Sequence, residues 1–317
     1  MVRVYLSVIG SWLFASAADM RISKKSVPII PLKDFGSSPF LENGIFVEAF
    51  EECVSIRHKR MEVHRHDYVE LFFLRGRGSV LIDFENCPLS GRSLIVIGPG
   101  RVHAWQANAM TGLYIAFTQE FFDGAGSPPS RLFDYPFMFA DELSSVIHLK
   151  PNQGAQAQGL FRDINSEFEK PEKLAVEMIR GQLRLLMVHL ARLYAARSPA
   201  PFAAVSLVRR FRQAVERSFR ASTPVRDYAQ CLGVTTSHLN ESLRLETGST
   251  AGELIRTRLL LEAKRLLLHS ELTMAEIGYE LGFEDPSYFS RFIRRELKTS
   301  PAELRNLLRQ KYLKFMR

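Results

Sequence analysis

The chain has 317 residues, 46% of them hydrophobic and 24% charged, with a formal net charge of +8. That composition excludes a disordered or collagen-like chain and leaves room for two globular domains. The charge is uneven: residues 201–317 hold 20 Lys/Arg against 13 Asp/Glu, whereas residues 1–200 hold 22 against 21. A positive excess confined to one region predicts a polyanionic partner, nucleic acid first.

Residues 1–25 stand apart. MVRVYLSVIGSWLFASAA has one Arg, an apolar run and a small-residue ending near Ala17, the pattern of a secretory leader. The run is too short and interrupted for a membrane span. Met20 opens MRISKKSVPIIPL, a reasonable cytosolic start, so translation is expected to begin there. An export signal, or an extra segment packed on the first domain, is the alternative. Cys53, Cys87 and Cys231 are odd in number and form no CxxC pair, which suits a reducing, cytoplasmic location.

Residues 26–155 read as a β domain. VELFFL, SVLIDF, SLIVIG and GLYIAF are rich in β-branched and aromatic residues, and RGRG, LSGR, GPGR and MTG read as turns between them. Short, evenly spaced strands of this kind predict a small barrel or jelly roll. HRHDYVE places His64, His66 and Glu70 close together, and GPGRVHAW adds His103 and Trp105. On a strand His64 and His66 share a face, which Glu70 joins only if the strand stays regular. Three imidazoles and a carboxylate could ligate a metal. The preferred expectation is instead an effector pocket lined by His64, His66, Glu70, His103 and Trp105, with no metal and no cofactor. Ordinary hydrogen-bonded histidines are the third reading.

Residues 156–200 turn helical, with Pro171 marking a break. Leu174, Met178, Gln182, Leu186, Leu190 and Leu193 form an apolar stripe. It packs either on its own domain or as the seam of a homodimer. ARSPAPFAA, near 197–204, is the linker.

Residues 201–317 are helical to the end. Thr223-Pro224 and Asp285-Pro286 read as an N-cap followed by proline at the first helical position. Thr250 with Glu253, Thr273 with Glu276, and Ser300 with Glu303 have capping-box spacing. Gly233, Gly248 and Gly282 fall where helices should stop. Leu232-Gly233-Val234 matches Leu281-Gly282-Phe283 at an offset of 49, and Leu239, Leu243 and Leu254 match Phe289, Ile293 and Leu304 at 50. One helix-turn-helix unit therefore occurs twice.

The second helix of each unit divides by face. Leu239 and Leu243 should be buried, leaving Ser237, Asn240, Glu241 and Arg244 outward; Phe289 and Ile293 should be buried, leaving Ser287, Arg291, Arg294 and Lys298 outward with Tyr288 at the shoulder. Arg291 suits a guanine, Asn240 an adenine and Glu241 a cytosine amine. Arg294, Arg295 and Lys298 suit phosphates. The connector, residues 251–268, spans about 27 Å as a helix. That could set the two reading helices about one DNA turn apart.

The stretches LGVTTSHLNESLRLETG, RLLLEAKRLLLHSELTMAEIGYELGFEDPSYFSRFIRREL and TSPAELR resemble the AraC/XylS-type DNA-binding domain over about residues 205–306. The resemblance implies a bacterial transcription regulator whose recognition positions are Ser237, Asn240, Glu241, Ser287, Tyr288 and Arg291. Three positions depart from the family pattern: Gly278 where alanine is usual, Ile293 where phenylalanine is common, and Lys298 where glycine is normal. Residues 45–120, with HxH, a following Glu and a distant His, resemble the cupin barrel and the effector-binding half of such regulators. The expected architecture is thus an all-β cupin-like barrel, a helical linker and an all-α double helix-turn-helix domain. The expected partners are double-stranded DNA, a small-molecule effector, a second copy of the chain and RNA polymerase, with no membrane. No GxSxG, P-loop, HExxH or dinucleotide motif occurs, so no enzyme is expected.

Overall fold

Three long antiparallel strands organise the amino-terminal half in a computed structural model, which describes residues 29–35, 38–52, 64–124, 132, 135–138, 145–150, 153–196 and 207–316. The start at Met20, Cys53 and the linker near 197–204 lie outside the described residues.

The strands are β1 (Ile45–Ala49), β2 (Val69–Ile82), β3 (Glu85–Ile97), β4 (His103–Phe117) and β5 (Val146–Leu149). They form one sheet in the order β1-β4-β2-β3-β5, each pair antiparallel. Short helices α1 (Pro39–Glu42), α2 (Phe50–Glu52) and α3 (Gln119–Asp123) flank it. Two longer ones follow, α4 (Ala155–Glu169) and α5 (Ala175–Ala195). Side chains alternate across a strand, so each face has its own core. Val69, Leu71 and Phe73 pack with Phe161, Ile164, Ile179 and Leu183 of α4 and α5. Phe72, Leu74, Val80, Ile82 and Tyr114 fill the other face, and Glu70 falls on it. The β-rich half is as expected, although pairing among the described residues stays open between β1 and β5 rather than closing into a ring.

Three expected turns are not turns. RGRG, LSGR and MTG lie inside β2, β3 and β4, which run straight through them. At MTG the reason is close packing. A Cβ at Gly112 would sit 2.0 Å from the carbonyl oxygen of Phe73, so glycine there lets two strands approach. The register also shifts between Arg77 and Ser79, the mark of a bulge. The β2–β3 turn is Asp83-Phe84 instead, with Asp83 at φ 54. GPGR does turn, and Gly100 donates to the carbonyl of His66 at 2.7 Å.

The stripe expected on α5 also needs correction. The buried positions are Ile179, Leu183, Leu186, Met187, Leu190 and Tyr194. Leu174 and Met178 are exposed, and with Leu185 and Val188 they mark the opposite side. Apolar residues occupy both sides of this helix, so spacing alone picks a path between them.

The carboxy-terminal half is all helix: α6 (Leu207–Ser218), α7 (Val225–Cys231), α8 (Thr236–Thr247), α9 (Ala251–His269), α10 (Met274–Glu280), α11 (Pro286–Leu297) and α12 (Pro301–Met316). Leu239, Leu243, Phe289 and Ile293 are fully buried in one core with Ile255, Leu259 and Leu266 of α9, so both units share it. The boxes at Thr250/Glu253 and Thr273/Glu276 form in both directions. Ser300 and Glu303 do the same, at 2.9 and 3.2 Å. Asp285 caps α11 with Pro286 at its first position. At α7 the cap shifts by one residue: Pro224 itself is the boundary, extended at ψ 153, and gives no side-chain cap. No helix among the described residues is long and apolar enough to cross a membrane.

Candidate nucleic-acid interface and histidine pocket

In each unit a left-handed glycine, Gly233 at φ 71 or Gly282 at φ 81, turns the chain into the reading helix. The reading helix α8 starts from Thr235, whose hydroxyl accepts from the His238 amide. Thr236, Ser237, Glu241 and Arg244 are exposed and line an open groove with Asn240 and Leu245. Asn240 also has partners within the protein. Its amide nitrogen donates to the carbonyl of Thr236 at 3.0 Å, and its oxygen accepts from the Ala251 amide at 3.0 Å. Both ends are thus spent inside the protein, fastening α8 to the first turn of α9.

On α11, Ser287, Tyr288, Arg291, Arg294, Arg295 and Lys298 are all exposed while Phe289, Phe292 and Ile293 are buried. The Arg291 guanidinium lies 4.2 Å from the centre of the Tyr288 ring. A cation held over an aromatic face loses less freedom on binding. Arg295 pairs with Glu296 at 2.9 Å, and Arg294 beside it is exposed. Gly278 has a packing reason: a Cβ there would meet the Phe289 Cβ at 3.2 Å, so α10 approaches α11 closely.

In the β domain, His64 and His66 share a face with ring centres 4.6 Å apart, and His103 lies 4.4 Å from His64. The chain bends at Asp67 and Tyr68, yet Glu70 joins the cluster, 3.3 Å from His66 Nε2 and 3.2 Å from His103 Nε2. All four are closed to solvent. Burial pushes the Glu70 carboxyl up to about 8, against a smaller lowering from the Tyr114 hydroxyl, which donates to it at 3.0 Å. Burial thus disfavours the charged carboxylate at the centre of the cluster. Trp105 stands further along the same face, its ring 4.7 Å from Phe72 and 5.0 Å from Phe50.

The donors also fit a transition-metal ion. One ring nitrogen from each of His64, His66 and His103 lies within 4.8 Å of the others. His66 Nδ1 lies 2.9 Å from the Ile30 carbonyl and His103 Nδ1 3.3 Å from that of Arg101. A carbonyl that accepts from Nδ1 orients an imidazole with Nε2 as its metal-facing nitrogen. This convergence is tighter than the sequence, with its preference for an organic-ligand pocket, implied.

Sequence reasoning missed Asp83, Arg65, Glu262 and Arg265, which meet where the β domain touches α9. The available signal was Glu262, Arg265 and His269, polar residues at three- and four-residue steps among the leucines of the connector.

Residues 228–307 match the model of a family described as a helix-turn-helix domain. The chain is 26% identical over 163 residues to the HTH-type transcriptional activator RhaR of Enterobacter sp., covering 51% of this chain and 58% of that protein. It thus spans somewhat over half the length of that relative. The Klebsiella pneumoniae protein of the same name is 25% identical over 251 residues, covering 76% of this chain and 86% of the other. Among solved structures, the C-terminal domain of AraT, a response regulator from Geobacillus stearothermophilus, is 27% identical with a TM-score of 0.31, covering 32% of this chain and 84% of that one.

Proposed function

We propose that this chain is an AraC/XylS-type transcription regulator, a cytoplasmic, sequence-specific DNA-binding protein controlled by a small effector; its match to a helix-turn-helix family model and its likeness to RhaR support this. The observation that carries the reading is the pair of helix-turn-helix units on one core with open reading faces. Ser237, Glu241 and Arg244 read bases from α8, and Asn240 holds that helix in place. Ser287, Tyr288 and Arg291 read from α11, while Arg294, Arg295 and Lys298 hold phosphates. The 19-residue α9 is about 28 Å long, close to one helical turn of DNA. The effector site is the pocket of His64, His66, Glu70 and His103, with Trp105 at its far end. A second copy of the chain docks on the exposed Leu174, Met178, Leu185 and Val188 side of α5, as an isologous pair. RNA polymerase is a further partner.

The test is selection of duplexes from a random pool, followed by anisotropy titration at physiological ionic strength. A selected duplex should bind at least about a thousandfold tighter than bulk genomic fragments. Equal affinity for both overturns the reading.

A further inference from the structure

The segments beside the histidines also carry the contact with the DNA-binding half. Arg65 sits between His64 and His66, and its Nη1 donates to Glu262 Oε1 of α9 at 2.8 Å. At the other edge, the Asp83 carboxylate accepts from the Val102 amide at 3.2 Å, one residue before His103. The same carboxylate takes Arg101 at 3.1 Å and Arg265 of α9 at 2.7 Å. Arg265 closes the circuit by donating to Glu262 at 3.2 Å. Phe84, beside Asp83 at the hairpin tip, packs into the helical core, and Tyr312 of α12 packs on Leu81, Val102 and Ala104.

Asp83, Glu262 and Arg265 are buried charges that pair with one another, with Arg65 and Arg101 at the partly exposed edges. Burial alone would raise the Asp83 carboxyl, but Arg265 and Arg101 outweigh it and hold it below the usual range. Glu262 is held down in the same way, by Arg265, Arg258 and Arg65 against burial. A buried charge network tolerates loss of one member poorly, so it is either closed or open. It also leaves the reading faces of α8 and α11 uncovered. It grips α9 instead, the helix fastened to α8 through Asn240 and packed in the same core as α11.

We propose that Arg65, Asp83, Glu262 and Arg265 form a latch that passes the state of the histidine pocket to the DNA-binding half. A ligand that shifts the His64–His66 segment or His103 withdraws Arg65 or Asp83 from α9 and opens the circuit. The consequence for transcription rests on the regulator reading; the latch itself does not. Linkage requires the effect to run both ways, so DNA bound at the far end must alter the pocket.

The test uses the full chain, the duplex selected by the wild type, and the variants Asp83→Asn, Arg265→Gln and their double. Hydrogen exchange in segments 64–70 and 99–106 should change on adding duplex to the wild type and not to the variants. Each single substitution should shift the duplex Kd by about fivefold or more, and the double by no more than one single. An exchange response that is missing in the wild type, an intact response in the variants, or single effects that multiply, overturns the latch. Should Arg265→Gln fail to fold, Arg65→Gln at the more exposed edge gives the same comparison. A wild type that selects no duplex defeats the regulator reading instead. The latch is then judged by thermal unfolding: one transition in the wild type and two in Arg65→Gln support it, and a single transition in both overturns it.

Discussion

In the first helix-turn-helix unit, α8 ends on Gly248 at φ 74, and Asn240 is committed to holding α8 against α9. In the second, α11 ends on Lys298 at φ 56, and the outward face carries Arg291, Arg294 and Arg295 with Tyr288 beside Arg291. The first unit has a relaxed backbone and a face of mixed charge, Glu241 with Arg244. The second accepts a strained terminus and gains a cationic face. One repeated pattern therefore takes two forms: the first unit is tied to α9 by a side-chain hydrogen bond, and the second carries the more cationic outward face.

The largest effects should come from breaking what the units share. Phe289→Ala and Leu239→Ala each remove a fully buried side chain from the same core. Each should cost about 3–5 kcal/mol, the Leu change at the lower end. Because the core is common, either variant should lower one transition of the whole helical half in denaturant unfolding. Separate melting of the two units would mean that they are independent modules. Next come the reading groups. Arg291→Ala should relax discrimination at one base pair by about 1–3 kcal/mol while leaving stability unchanged. Asn240→Ala should do the reverse, costing about 0.5–2 kcal/mol of stability through the lost contact with α9 while base preference is retained. Binding-site selection beside thermal denaturation separates the two. A loss of adenine preference in Asn240→Ala would restore it as a reader.

What the sequence made legible follows the range of the forces involved. Capping boxes at Thr250, Thr273 and Ser300 are contacts across three residues, and all three formed. Leu239, Leu243, Phe289 and Ile293 were readable because one turn of helix fixes which side they face. The histidine pair was readable because an extended segment turns alternate residues to one side. Errors arose where a residue answers to a distant neighbour. Gly112 looked like a turn because its need, the carbonyl of Phe73, lies on another strand. The contact of Asn240 with Ala251, on the next helix, was out of sight for the same reason. The latch was invisible because Arg65 and Glu262 are 197 residues apart, and Asp83 and Arg265 are 182 apart.

The smallest expected effects isolate the strain in the second unit. Arg294→Ala should weaken binding to all duplexes alike and reduce the salt slope by about 0.9, the signature of one lost phosphate contact. Lys298→Gly should reduce the slope by a similar amount and, unlike Arg294→Ala, also raise stability. A non-glycine residue in the left-handed region carries about 1–2 kcal/mol of strain, part of which glycine gives back as greater freedom in the unfolded chain. A net gain of about 0.5–1 kcal/mol should appear in denaturant unfolding. The reciprocal change, Gly248→Lys, should impose a similar cost on the first unit. No atom lies within 4 Å of a Cβ built at Gly248, so that cost is conformational and not steric. If Lys298→Gly leaves stability unchanged, the second unit does not bear the strain that its backbone angle implies, and its difference from the first is one of charge alone.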